Sequence, residues 1–209
     1  MTHLAKENFK DFPLHNIDNV LPSQWAKLSF DGKEKTLQDI ANRYAEIEGR
    51  KAPEVYTFNL DYEPHRNPDK PFLEPDIQKK IIGINDRHIT DNPYPAVFQV
   101  LTAMNLHYAL GIADNFIASN THPTVKERLQ RETLDLKNRA AEENTKEYND
   151  IYIVKDAKLF ALQATTELKI IHEKAGEIVQ EPPKKEVKSS HEIDLTKEAI
   201  KLKPPKLTL

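Results

Sequence analysis

The longest apolar stretch of the chain, AVFQVLTAMNLHYALGIA, begins at Ala96 and constrains the fold most. Just before it, Asp91 or Asn92 can cap a helix, and Pro93 fits the first helical turn. Apolar side chains then recur on one wide helical face. The sequence therefore predicts a long central helix that begins at Pro93, ends near residue 118 and forms the core.

Composition limits the classes of function. The chain has 209 residues, a net charge of −3 and no cysteine. One domain is the default for this length, and Cys-based zinc sites and disulfides are excluded. The apolar stretch contains Gln99, Asn105 and His107, so we predict no membrane span. Basic and acidic residues are mixed, so we predict no nucleic-acid binding. The leading residues lack the apolar run of a Sec signal, so we expect a cytoplasmic protein or one secreted by a non-Sec route.

The remaining elements predict an α+β fold that is mostly helical. Helical spacing indicates an amphipathic helix at about 34–48 and a last packed helix at about 154–178, and the charge-rich segment 124–150 indicates an exposed helix. The segments 54–60 and 79–86 read as strands joined by a proline-rich loop, which favours a small antiparallel sheet packed on the central helix.

Residues 1–33 are predicted to form an N-terminal arm over a globular domain at 34–180. Asp31-Gly32 is a turn signal at the end of this arm. The apolar anchors expected in the arm are Phe12, Leu14, Val20, Leu21 and Trp25.

Residues 181–209 differ from the rest of the chain. They contain no aromatic residue, four prolines and seven lysines, so they cannot bury enough apolar surface to offset the entropy of ordering. We predict a disordered tail, which either has no task or binds a protein partner. The candidate partner-binding residues are Lys203, Pro204, Pro205 and Leu209, because a stiff proline pair and a terminal carboxylate are groups that partner domains recognise.

The order of elements resembles that of small zincin-like metallopeptidases, including bacterial toxin-type ones. In that group a strand and a helix that begins with Asn-Pro lead into the H-E-x-x-H motif. The run IIGINDRHITDNPYPAVFQVLTAMNLHYAL has the same order of features. The run IYIVKDAKLFALQ is similar to the segment that carries its acidic third ligand. The resemblance covers residues 34–175 and implies a zincin-like fold.

The departures from the family pattern decide what the resemblance implies for function. Ala103 occupies the position of the family's first ligand histidine, Met104 that of its general base and Val154 that of its third ligand. Of the family's ligands only the second one, His107, is present. A catalytic zinc needs three protein ligands and a base for its water. The resemblance therefore implies a non-catalytic binding protein without a cofactor on a degenerate scaffold, of the kind of a bacterial secreted effector or toxin-related factor.

Two alternatives remain open from the residues. His107 can be an ordinary core histidine that is hydrogen-bonded to a neighbour. The chain can also be an active metal-dependent hydrolase with non-standard ligands and zinc as the candidate metal, in which His107 is joined by His88 and by Asp86 or Asp91. Asp86 and Asp91 equally suit turn and cap positions.

Overall fold

The computed structural model describes residues 14–59, 81–115, 121–138 and 146–176. These residues are mostly helical, with one two-stranded sheet and short 3-10 turns at 14–16, 18–20 and 86–88. In chain order the elements are α1 (Pro22–Trp25), α2 (Phe30–Ile47), β1 (Glu54–Phe58), β2 (Ile81–Asn85), α3 (Pro93–Ala113), α4 (Pro123–Asn138), α5 (Lys146–Asp150) and α6 (Tyr152–Lys174). The predicted tail lies outside the described residues.

Helix α2 begins earlier than its apolar spacing indicates. The side chain of Ser29 accepts a hydrogen bond from the backbone N–H of Gly32 and so caps the helix. The turn predicted at Asp31-Gly32 is therefore wrong, because both residues belong to the first turn of α2. An acidic residue and a glycine near a Ser cap suit a helix start as well as a turn.

The two strands are parallel, so the predicted antiparallel sheet is wrong. β1 and β2 pair in register from Glu54–Ile81 to Phe58–Asn85. Parallel strands need a connection of a dozen or more residues, and the 22 residues from 59 to 80 provide that length. Alternation within a strand is the same for either direction, so the sequence pattern could not choose between them.

Helix α3 is the central helix that the sequence predicts, although it ends at Ala113. Sixteen of its 21 residues are buried, since α2, α4, α6 and the sheet all pack against it. Among the described residues it alone is long and apolar enough to cross a membrane, and 83% of its apolar window is buried inside the protein. This burial is consistent with a core helix and with the predicted absence of a membrane span.

The N-terminal segment packs on the body through three of its predicted anchors. Leu14, Val20 and Trp25 are buried, and the indole Nε1 of Trp25 donates to the carbonyl of Thr90 at 2.7 Å. Leu21 is only partly buried, and the fifth predicted anchor, residue 12, lies outside the described residues. The short α1 and the 3-10 turns replace the irregular arm that the sequence predicts.

The charged segment forms two helices rather than one. α4 and α5 are separated by residues 139–145, which lie outside the described residues. α4 buries a thin stripe that includes Leu129 and Leu136, while Leu134 is 60% exposed. α6 then packs along α3 through Ala157, Ala161 and other small residues, which allow the two helices to approach closely.

Candidate functional site: an arginine guanidinium on His107

His107 lies on the buried face of α3, with 3% of its surface exposed. Its Nδ1 is 3.1 Å from the guanidinium Nη1 of Arg50. A guanidinium can only donate, so Nδ1 must accept, and the neutral ring carries its proton on Nε2. Among the described residues no hydrogen-bond acceptor meets that buried Nε2. The alternative of a hydrogen-bonded core histidine is therefore what the structure contains, with an arginine as the neighbour.

The end of α2 delivers Arg50 to this position. Gly49 has φ +64, and its N–H donates to the carbonyl of Glu46, while the N–H of Arg50 donates to the carbonyl of Ala45. These bonds satisfy the last carbonyls of the helix and turn the chain back toward α3. The guanidinium Nη2 of Arg50 then reaches the carbonyl of Met104 at 3.3 Å.

Two tyrosine rings hold the guanidinium between them. The Arg50 Cζ lies 5.7 Å from the ring centre of Tyr44 and 5.2 Å from that of Tyr108. At such distances the ring quadrupoles attract a cation. The hydroxyl of Tyr108 donates to the carboxylate of Glu48, and the amide of Asn105 donates to the hydroxyl of Tyr44 at 3.3 Å. The rings are thus fixed by hydrogen bonds of their own.

The electrostatics keep His107 neutral. Burial first, and the positive charge of Arg50 second, lower the pKa of His107 to about 4. Burial also lowers the pKa of Arg50, and the attraction of Tyr44, Glu48 and Tyr108 opposes that effect. A guanidinium stays protonated inside proteins, so at neutral pH the pair is a cation that donates to a neutral imidazole.

The donor set around His107 does not fit a zinc ion. Ala103, Met104 and Val154, which stand at the ligand and base positions of the family pattern, are fully buried and bring no ligand atom of the kind that zinc prefers. No group of three or more His, Cys, Asp or Glu side chains with metal-binding spacing exists within the described ranges. Because Nδ1 accepts from Arg50, the proton of the neutral ring lies on Nε2, so neither ring nitrogen offers a free lone pair to a metal.

The other predicted ligands have separate partners. Asp86 and His88 lie in the 3-10 turn that follows β2, where a carboxylate oxygen of Asp86 accepts from the Asn59 amide at 2.6 Å. Asp91 is paired with Lys33 at 3.2 Å. The structure does not bring these three into a metal-binding group with His107 in the part of the chain that it describes. The candidate partner-binding residues Lys203, Pro204, Pro205 and Leu209 lie outside the described residues.

Sequence reasoning missed Arg50, Tyr44 and Tyr108. The available signal is weak: Gly49 stands where a C-terminal cap belongs, just after the helix that the sequence predicts at about 34–48, and the residues after such a cap often pack back on the helix. Nothing in the spacing shows that Arg50 and His107, 57 residues apart, are neighbours.

No protein-family model, no curated protein and no solved structure matches the chain. The zincin-like resemblance accordingly stays a prediction from the sequence.

Proposed function

We propose that this chain is a non-catalytic binding protein on a degenerate metallopeptidase-type scaffold. The observation that carries the proposal is the hydrogen bond from the Arg50 guanidinium to Nδ1 of His107. Arg50 donates to Nδ1 and so keeps the ring proton on Nε2, which leaves no imidazole lone pair for a catalytic metal on this helix. The contact between Arg50 and His107 then serves the packing of the fold and not catalysis. The function that we propose for the chain is therefore binding.

The surrounding packing supports the same proposal. Met104 cannot accept a proton from water, and it is fully buried in the same core as Ala103. Neither Ala103 nor Met104 can therefore activate a water molecule.

Metal analysis of the purified chain tests this proposal. After incubation with excess zinc and dialysis, we expect far less than one zinc per chain, with no change on substituting His107→Ala. The pseudoenzyme proposal fails if wild-type protein keeps stoichiometric zinc and the variant loses it. That outcome would favour the zinc-dependent hydrolase instead.

We extend the proposal to the partner and the setting. The chain would bind a protein through its tail, as a bacterial effector or toxin-related factor that remains in the cytoplasm or leaves by a non-Sec route. Deleting residues 181–209 should remove partner binding and leave the unfolding curve of the body unchanged. A partner that binds the truncated chain equally well would refute the role of the tail.

A further inference from the structure

We draw no further inference here: the strongest candidate, the line of exposed apolar side chains Leu162 and Ile170 on the outer face of α6, carries nothing because no feature of the described residues shows what covers it.

Discussion

Lys33 and Arg50 are cationic side chains at opposite ends of α2, and the groups that surround them differ. Lys33, at the start of α2, donates to the carbonyl of Thr90 at 3.1 Å and pairs with the Asp91 carboxylate at 3.2 Å. Arg50, just after the end of the same helix, is attracted by the Glu48 carboxylate, but its described hydrogen bonds go to neutral groups. Its partners are a neutral imidazole, a backbone carbonyl and two aromatic rings.

The difference follows from solvent access. The Asp91 side chain is 87% exposed, so water screens the Lys33 pair and little free energy depends on it. Arg50 is only partly exposed and its partner His107 is buried, so their contact is screened less than the Lys33–Asp91 pair. A guanidinium suits that place because it is planar, weakly hydrated and able to stack on rings. We therefore expect the Arg50 contacts to affect stability far more than the Lys33 pair.

The largest effect is expected from Arg50→Ala. This change leaves the buried Nδ1 of His107 without a donor and removes packing between Tyr44 and Tyr108, which together should lower the free energy of unfolding by about 4 kcal/mol. Urea unfolding measures it. Arg43→Ala is the control, because the pair of Arg43 with Glu46 is exposed and its loss should change stability by less than about 0.5 kcal/mol. Equal losses of unfolding free energy in Arg50→Ala and Arg43→Ala would show that the contacts of Arg50 matter no more than an exposed ion pair.

The pH dependence of stability should reveal the buried imidazole. The pKa of His107 is about 4 in the folded chain, against about 6.5 when unfolded. The unfolded state therefore binds the extra proton between these values, so stability is complete above pH 6.5 and falls as the pH drops toward 4. The loss attributable to His107 is about 3 kcal/mol. Urea unfolding between pH 4 and 7 should show this loss of unfolding free energy in the wild type and not in His107→Leu. The same dependence of unfolding free energy on pH in both proteins would contradict the prediction.

Gly49→Ala tests how Arg50 is delivered. An alanine Cβ would meet nothing within 4 Å, so its direct effect is the left-handed backbone at φ +64, worth about 1–2 kcal/mol. Gly176→Ala is a matched control, with φ +76 and equally free space after α6. Thermal unfolding should show a larger loss at Gly49, since a shifted turn also displaces Arg50. A smaller loss at Gly49 than at Gly176 would count against the turn as the positioning element.

A smaller effect is expected at the pair of Lys33 with the exposed Asp91 carboxylate. Asp91→Asn removes the charge opposite Lys33 but leaves the Thr90 carbonyl as its acceptor. The free energy of unfolding should fall by about 0.5 kcal/mol at low salt and by less at high salt, because exposed pairs are screened. Unfolding at two ionic strengths measures it. A loss near that of Arg50→Ala, or one that salt leaves unchanged, would mean that the pair acts as a buried one.

The sequence predicted what local pattern controls. The central helix from Pro93, a cap at Asp91 or Asn92 and a buried face that includes Met104 and His107 follow from apolar spacing and capping rules. In the structure, Asn92 is the cap. The parallel direction of β1 and β2 could not be predicted, since it depends on the course of a long connection. Arg50 was missed for a related reason: its contact with His107 joins distant positions, and charged side chains are expected at the surface.

The protonation state of the His107 ring tests the central claim most directly. Nitrogen-15 resonance of the imidazole at neutral pH should show a neutral ring with its proton on Nε2 and an unprotonated, hydrogen-bonded Nδ1. Excess zinc should leave both signals unchanged, because Arg50 occupies the Nδ1 lone pair. A proton on Nδ1, or a zinc-dependent shift of either nitrogen, would contradict the account.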